Sequence, residues 1–389
     1  MRPDTEVLHR GEGAREDASP LNTPIYATTT FVFANAAEVE AFNQGKSTRY
    51  LYTRYGNPTV QAVEEKLAIL EGAEAAMVTS SGQAATSTAF FGLLQSGDEV
   101  ICSAAIYGGT FHVIVDFLKR FGVTSRFASL EELAKPECVI GPKTKVVWFE
   151  SPNNPTLRCV DIARVAAACR AKGVISAIDN TFASPINQQP IAMGIDLVMH
   201  SATKYLNGHS DVTAGALVGS RKLIDSLQPA RRLFGGILEP ASAYALARGM
   251  KTLSLRVARQ NASAHRVAEW LEKHPRVSRV FYPGLASHPD HAIARKQMKG
   301  FGGMVCFEAA GGYDAACKFY DRLGVIKRAA SLGGTESLCS LPVLTSQYGL
   351  DDDELAAAGV TRGMVRLSVG LEDADDLIAD LDQALGTGH

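Results

Sequence analysis

Short apolar runs alternate with stretches of helical spacing between residue 60 and about residue 245. Each run is four to seven residues long, and the segment that follows it carries apolar residues at intervals of three or four. Such an alternation predicts a parallel α/β sheet with helices on both faces. The predicted strands are AAMVTSS, DEVICS, TKVVWFES, VISAIDN and IDLVMHS; the predicted helices are AATSTAFFGLLQSG (ending at Gly97), GTFHVIVDFLKRFG and DIARVAAACRAKG.

The two ends of the chain have a different pattern. Residues 1–60 are rich in proline and threonine with little helical period, which predicts an extended arm; a helix over 60–75 with a stop at Gly72 follows. Beyond about residue 245 a long helical stretch closes at Pro275, and RVSRVFYPG, GGMVCFEAA and GMVRLSVGLE are strand-like. We therefore expect an arm (1–60), a large α/β domain (61–245) and a smaller α+β domain (246–389).

Composition narrows the class of protein. The chain has 389 residues, of which 46% are hydrophobic and 21% charged, with a net charge of −2, so no general affinity for nucleic acid or acidic lipid is expected. No apolar window approaches the roughly 20 residues of a membrane span, and the mixed-charge N-terminus does not resemble a signal peptide. None of the seven cysteines has a metal-ligand spacing. A cytoplasmic protein with reduced thiols and no metal is expected.

Polar residues stand at the ends of several predicted strands, where open parallel sheets bind ligands. Gly82 and Gln83 follow the first strand in a turn that can present backbone N–H groups to a phosphate, although such a turn also simply caps a helix. Asp179 closes an apolar strand, and Lys204 follows Ser201 and Thr203 after another. A lysine withdrawn from water can lose its proton and form an imine with an aldehyde. An anion site, an imine-forming lysine and an acid for a ring nitrogen together indicate pyridoxal 5′-phosphate.

Eight motifs in a fixed order carry a resemblance to a known family. They are YTRYGNPT, SSGQAA, YGGT, ESPNNPT, AIDNTF, HSATKY, SLGGTESL and VRLSVGLE, and they span most of the chain. The sequence resembles the Cys/Met-metabolism group of pyridoxal-phosphate enzymes, which includes cystathionine γ-synthases and γ-lyases, methionine γ-lyases and homoserine-ester sulfhydrylases. The resemblance implies an aminotransferase-like (fold type I) large domain with a mostly parallel seven-stranded sheet.

The resemblance also implies roles for individual residues. Lys204 would carry the cofactor and move protons, and Tyr107 would stack on the ring and exchange a proton with the substrate. The homo-oligomer would be a tetramer, built as a dimer of dimers, in which Tyr52 and Arg54 reach the neighbouring subunit's phosphate. The remaining implied contacts are Asp179 with the ring nitrogen, Asn154 with the ring hydroxyl, Gly82, Gln83, Ser201 and Thr203 with the phosphate, and Arg366 with Ser331 for the substrate carboxylate.

Departures from the family pattern bear on the substrate. Gln83 stands where most members have methionine, and Gly109 where methionine γ-lyases carry cysteine. Leu51 replaces an acid found in enzymes that accept a distal ammonium, which favours a substrate with an uncharged far end. Glu336, in contrast, lies in a motif that resembles cystathionine γ-synthases and γ-lyases, and it could itself neutralise that ammonium. His200 and His209 are interpreted as packing or polar-network residues.

The expected activity is γ-elimination or γ-replacement on a homoserine ester or a thioether amino acid in sulfur amino acid metabolism. The cystathionine γ-synthase or γ-lyase type stands slightly ahead of the sulfhydrylase and methionine γ-lyase types. Two other classes remain as alternatives: an aminotransferase, which shares the fold and the lysine, and a non-catalytic binding module built on the same fold.

Overall fold

A seven-stranded sheet forms the centre of the large domain. The computed structural model describes residues 2–9, 20–349 and 351–386. Within the sheet the order is β1-β7-β6-β5-β4-β2-β3, and only β7 runs antiparallel to its neighbours. The mostly parallel seven-stranded sheet is therefore confirmed. Its strands are β1 Ala75–Thr79, β2 Glu99–Ser103, β3 Thr124–Ala128, β4 Thr144–Glu150, β5 Ile175–Asp179, β6 Leu197–His200 and β7 Gly215–Gly219.

Among the described residues, nine α-helices precede or flank this sheet. α3 ends where the sequence indicates, because Gly72 adopts φ +68° and caps the helix in the left-handed region. α4 begins at the polar turn that follows β1. The helices are α1 Pro3–His9, α2 Ala36–Asn43, α3 Pro58–Glu71, α4 Gly82–Leu93, α5 Gly108–His112, α6 Leu130–Leu133, α7 Ile162–Lys172, α8 Ser184–Asn187 and α9 Arg221–Phe234.

The N-terminal arm and one predicted helix differ from expectation. The arm contains α1 and α2, and the Asn35 side chain caps α2 by accepting from the Glu38 N–H, a local signal that overrides the missing periodicity. The segment expected as one helix from 109 to 122 is α5, then a π turn over Val113–Phe117 and a 3₁₀ turn over Leu118–Phe121. α4 ends at Leu93, short of Gly97, because Leu94 is already extended.

A second sheet of five strands, ordered β10-β11-β12-β9-β8, forms the smaller unit. The long helical stretch before it is two helices, broken at Lys251 and Thr252. The division at residue 245 stays a prediction. The bounds are β8 Val277–Phe281, β9 Met304–Ala309, β10 Lys327–Arg328, β11 Leu338–Ser340 and β12 Met364–Ser368, with α10 Pro240–Met250, α11 Leu253–Lys273, α12 His291–Gln297, α13 Gly312–Arg322, α14 Asp352–Ala357 and α15 Ala374–Leu385.

Arg256 on α11 ties the loop after β6 to the rest of the molecule. Its buried guanidinium donates to the carbonyl oxygens of Tyr205 (2.8 Å), Leu206 (3.4 Å) and Gly249 (2.8 Å). Gly208 has φ +73°, and a Cβ there would lie 1.8 Å from Arg256 Nη1, so this turn requires glycine. Burial lowers the pKa of Arg256 to about 10. In the ranges the structure describes, no helix is long and apolar enough to span a bilayer.

Candidate active site

A cavity of about 580 Å³ opens beyond the carboxyl ends of the parallel strands, where the sequence placed the ligand site. Residues from both sheets line it: Asp179 closes β5 of the large sheet, and Arg366 lies on β12 of the small one. Ten of the residues singled out from the sequence meet here. They are Gly82, Gln83, Tyr107, Asn154, Asp179, Ser201, Thr203, Lys204, Ser331 and Arg366.

Lys204 lies in the turn after β6 and points into the cavity. Its Nζ donates to Ser331 Oγ at 2.8 Å. Withdrawal from solvent lowers the pKa of Lys204, and the nearby Arg366 guanidinium lowers it further. Ser331 has φ +139°, a conformation that few non-glycine residues adopt and that is often found at functional sites. A lysine in this setting gives up its proton more readily than one on the surface, as imine formation requires.

Two carboxyl groups lie side by side at one end of the cavity. Asp179 and Glu150 are register partners on β5 and β4. Asp179 Oδ1 accepts from the Thr181 N–H at 3.0 Å, and Glu150 Oε1 accepts from the Tyr107 N–H at 2.6 Å. Burial raises the pKa of Glu150 well above its usual range, with repulsion from Asp179 adding to it, and burial also raises the pKa of Asp179. Neither acid has a lysine or arginine partner among the described ion pairs, so this end suits a cationic group.

Arg366 reaches the cavity from the small sheet. Nη1 donates to Asn154 Oδ1 at 2.9 Å, and Nη2 approaches the Ser331 carbonyl at 3.4 Å. Only 7% of the side chain is exposed, and this burial lowers the pKa of the guanidinium. Across the described ranges no carboxylate pairs with it. A buried, unpaired arginine fork beside a cavity is suited to a carboxylate ligand.

The turn after β1 forms a third wall. Ser81 caps α4 by accepting from the Ala84 N–H at 3.0 Å. A Cβ on Gly82 would lie 3.1 Å from Ser201 Oγ and 3.2 Å from Met199 Cε, so glycine allows the turn and the Ser201 hydroxyl to approach closely. Backbone N–H groups at a helix start next to a hydroxyl form an anion site. Together with the lysine and the acids, these donors fit pyridoxal phosphate.

Four of the residues singled out from the sequence lie outside the cavity. Arg54 Nη1 donates to the Arg232 carbonyl at 2.9 Å, and its guanidinium lies 5.7 Å from the ring centroid of Tyr52. Leu51 borders a separate groove of about 1050 Å³ between residues 42–76 and 221–238, and Glu336 is exposed. Their roles stay predictions.

The two histidines near the lysine occupy polar networks, as interpreted. His200 Nε2 lies 2.5 Å from Glu71 Oε1, with both side chains buried. The same oxygen accepts from Asn180 Nδ2 at 3.0 Å. His209 Nδ1 lies 2.7 Å from the Asn207 carbonyl oxygen.

Sequence reasoning missed several lining residues. Glu150 had a usable signal, because it closes an apolar strand in the same way as Asp179. Thr345 and Ser346 lie in the loop after β11, where no pattern marks them. The other lining residues not singled out as site residues are Ser81, Pro152, Thr181, Phe182, Met199, Thr213, Ala330 and Leu332.

Comparison with known proteins identifies the family. The model of the Cys/Met metabolism PLP-dependent enzymes matches residues 4–386. The chain is 42% identical to chloroplastic cystathionine γ-synthase 1 of Arabidopsis thaliana (97% of this chain, 68% of that protein) and 42% identical to L-methionine γ-lyase of Pseudomonas putida (98% and 96%). It is 40% identical to O-succinylhomoserine sulfhydrylase of Pseudomonas aeruginosa (98% and 94%).

A solved structure extends the similarity to the fold. Cystathionine γ-lyase from Lactobacillus plantarum, complexed with L-serine, superposes with a TM-score of 0.92 at 39% identity, covering 99% of this chain and 98% of that one. The chain belongs to the Cys/Met metabolism family of PLP-dependent enzymes. It is an enzyme of sulfur amino acid metabolism, a carbon–sulfur lyase or transferase, and its fold is the α/β fold expected from the sequence.

Proposed function

We propose that this enzyme carries out γ-elimination or γ-replacement of the cystathionine γ-synthase or γ-lyase type, on a homoserine ester or a thioether amino acid. The observation that carries the proposal is the separation of unpaired charges in one cavity. Asp179, Lys204 and Arg366 line the same cavity, and within the described residues no ion pair joins the acid to either base. An α-amino acid and a protonated pyridine ring supply the complementary charges.

In this proposal the cofactor, when bound, withdraws electrons from the amino-bearing carbon of the substrate. Asp179 holds the ring nitrogen protonated, and the Gly82–Gln83 backbone with Ser201 and Thr203 holds the phosphate. Lys204 Nζ anchors the cofactor and then moves protons at the substrate carbons, a task suited to an amine of lowered pKa.

The remaining contacts orient the substrate and the ring. Arg366 holds the substrate carboxylate with its planar fork, and Ser331 assists. Tyr107, whose backbone is fixed by Glu150, stacks on the ring and exchanges a proton with the substrate amine or the leaving group. Asn154 contacts the ring hydroxyl as well as Arg366.

The proposal also includes a cytoplasmic location and assembly as a homodimer or tetramer. The separate groove and the exposed Tyr52 support a site shared between subunits. Tyr52 is 39% exposed in the single chain, and Arg54 lies beside it. If both residues complete a neighbour's site, mixing inactive Arg54→Ala and Lys204→Ala chains regenerates one complete site in each heterodimer. Random exchange should then give about a quarter of wild-type activity. Proven exchange without recovery would contradict the shared site.

Product analysis tests the activity itself. Purified enzyme is incubated with O-acetyl-homoserine, O-succinyl-homoserine, cystathionine, cysteine or methionine, with and without sulfide or cysteine. Formation of 2-oxobutyrate from cystathionine or an acyl-homoserine, or of cystathionine from an acyl-homoserine and cysteine, supports the proposal. The acceptor dependence separates elimination from replacement. The sulfhydrylase and methionine γ-lyase alternatives predict homocysteine from sulfide and methanethiol from methionine, respectively. Transamination as the main outcome would contradict the proposal.

A further inference from the structure

The loop between β4 and α7, residues 151–161, contacts the small sheet beside the cavity. Asn154 Oδ1 accepts from Arg366 Nη1 at 2.9 Å. The next carbonyl oxygen, that of Pro155, lies 2.8 Å from Cys306 Sγ, and Cys306 on β9 is the register partner of Arg366 on β12. Side chains of cross-strand partners lie on the same face of a sheet. Two consecutive residues of the loop therefore rest against one face of the small sheet, next to the guanidinium.

The part of this loop that carries Asn154 is closed by hydrogen bonds between its two ends. The Asn153 N–H donates to the Arg158 carbonyl oxygen at 3.0 Å, and the Arg158 N–H donates to Asn153 Oδ1 at 2.9 Å. The same side-chain oxygen accepts from Thr156 Oγ1 at 2.9 Å. Residues 153–158 thus form a compact unit, and a displacement of Arg158 would also move Asn154.

Asp290, at the start of α12, holds the outer end of this unit. Its carboxylate accepts from Arg158 Nε at 2.5 Å and from Arg158 Nη2 at 3.2 Å, and Oδ2 also accepts from the Cys159 N–H at 2.9 Å. Only 7% of Asp290 is exposed. A bidentate arginine–carboxylate pair fixes geometry as well as adding energy, and breaking a buried pair is costly. Asp290 lies outside the lining of the cavity, so it can influence a ligand only through the loop.

We propose that Asp290 is a positioning residue for the substrate carboxylate. By holding the outer end of the 153–158 unit, it keeps Asn154 Oδ1 in the place where that oxygen orients the Arg366 guanidinium. This inference rests on the proposed role of Arg366 in carboxylate binding. Without the Asp290 carboxylate the guanidinium stays in the cavity, but its planar fork is no longer fixed in one orientation. Affinity should then be lost mainly for the carboxylate of the substrate, because bidentate bonding depends on that orientation.

The first test separates substrate binding from the chemical step. Asp290→Asn removes the charge and replaces one acceptor oxygen by an NH₂ group, while every residue that lines the cavity is retained. KM should rise by about fivefold, with kcat and cofactor retention in equilibrium dialysis within about twofold of the wild type. Lys296→Gln is the matched control, because Lys296 on α12 forms a second ion pair with the same loop, to Asp161 at 3.0 Å. A fall in kcat with unchanged KM in Asp290→Asn would overturn the proposal.

The second test asks whether the loss is specific for the carboxylate. Binding of L-alanine, which has no leaving group, and of L-alaninamide to the holoenzyme is followed by titration of the visible absorbance band. Asp290→Asn should reduce the preference for L-alanine by about threefold to tenfold, and the same change in the Arg366→Lys background should have a smaller effect. Arg158→Lys, which keeps the charge but not the bidentate contact, should act in the same direction and decides the question if Asp290→Asn does not fold. Equal weakening of both ligands would make Asp290 a purely structural residue and overturn the proposal.

Hydrogen exchange in the cofactor-free chain gives a readout that does not depend on activity. Amide exchange in peptides that cover residues 153–160 should be faster in Asp290→Asn than in the wild type, whereas peptides from α4 should be unchanged. Unchanged exchange over 153–160 would show that Asp290 does not hold the loop. Faster exchange throughout the large domain would show that it stabilises the fold as a whole. Either result would overturn the proposal.

The outcomes separate this inference from the function beneath it. If Arg366→Lys lowers the preference for L-alanine over L-alaninamide but Asp290→Asn does not, the positioning role is wrong and the proposed function stands. If Arg366→Lys leaves the preference unchanged, Arg366 does not bind the carboxylate, and the inference is wrong together with that part of the proposed function. Absence of any γ-product from all substrates would overturn the activity itself.

Discussion

The two groups of titratable residues in the cavity, its acidic end and its basic end, are built in opposite ways. At the acidic end Asp179 and Glu150 lie next to each other on paired strands, and burial raises the pKa of both. At the basic end Lys204 and Arg366 come from different sheets and meet at Ser331, and burial lowers the pKa of both. In both groups burial therefore favours the uncharged form.

The difference shows which features of the cavity serve a ligand. A protein selected for stability alone would pair such groups with each other or replace them by apolar residues, since an unpaired buried charge is costly. Here the acids accept from backbone N–H groups, and the bases donate to a hydroxyl and an amide oxygen. Titratable groups perturbed in this way cluster at functional sites. Four substitutions test this contrast, and their expected effects decrease from Lys204 to Glu150.

The largest effect is expected from Lys204→Ala at the basic end. Removing the amine abolishes proton transfer at the substrate carbons, so kcat should fall by at least about 10²–10⁴-fold, while the cofactor should still be bound by the other wall residues. Stopped-flow or end-point kinetics and dialysis measure the two properties. Lys145→Ala, at an exposed position of β4, is the control. Substantial residual turnover would remove Lys204 from its proposed role.

The corresponding change at the acidic end is Asp179→Asn. The amide oxygen can still accept from the Thr181 N–H, but the charge that holds the ring nitrogen protonated is lost. We expect kcat to fall by about 10²-fold or more, with weaker cofactor retention, both measured on the purified variant. Asp321→Asn, exposed on α13, should behave like the wild type. Full activity in Asp179→Asn would show that the acidic end does not serve the cofactor.

Arg366→Lys keeps the positive charge of the basic end and removes the planar fork. Lysine cannot bond a carboxylate and Asn154 in the same geometry, so KM should rise by about tenfold or more with a smaller change in kcat. Steady-state kinetics on one substrate measure KM and kcat separately. An equal loss in kcat with unchanged KM would assign Arg366 to the chemical step instead of carboxylate binding.

Glu150→Gln should have the smallest effect, and it concerns stability. Because the pKa of Glu150 is raised in the folded chain, its stabilising contribution is complete below its unfolded pKa and is lost as pH rises through the folded pKa. The glutamine oxygen still accepts from the Tyr107 N–H. The cofactor-free variant should therefore have a free energy of unfolding about 1–2 kcal/mol higher than the wild type at pH 8, with a smaller decline between pH 5 and pH 8. Urea unfolding at both pH values measures this, and identical pH profiles would contradict the assignment.

The pattern of apolar residues in the sequence identified the parallel core of the large sheet, because the strands there are continuously apolar. β3 was missed because Thr124, Ser125 and Arg126 are exposed on an edge strand. β7 was missed because GALVG is short and glycine-bounded. Tertiary pairing determines such strands more than their own sequence does.

The residues of the candidate site also fall into those that the sequence predicts and those that only the structure shows. Strand-end residues such as Asp179 and Lys204 could be predicted, because the carboxyl ends of parallel strands meet at one edge of a sheet. Ser346 could not, because only the packing of its loop against the Tyr107 turn brings it to the cavity. Contacts between loops that are distant in the sequence can therefore be identified only from the structure.

The hydrogen bonds that Arg256 donates have a consequence for how a newly made chain forms the loop that carries Lys204. The carbonyl oxygens of Tyr205 and Leu206, just past the lysine, find their donors on a residue about 50 positions further along the chain. Arg366 enters the site later still. A nascent polypeptide can assemble most of the large sheet from its first 220 residues, but its lysine loop stays without its anchor until α11 has left the ribosome. Any product that ends before α11 therefore lacks the donors that hold the two carbonyl groups beside Lys204.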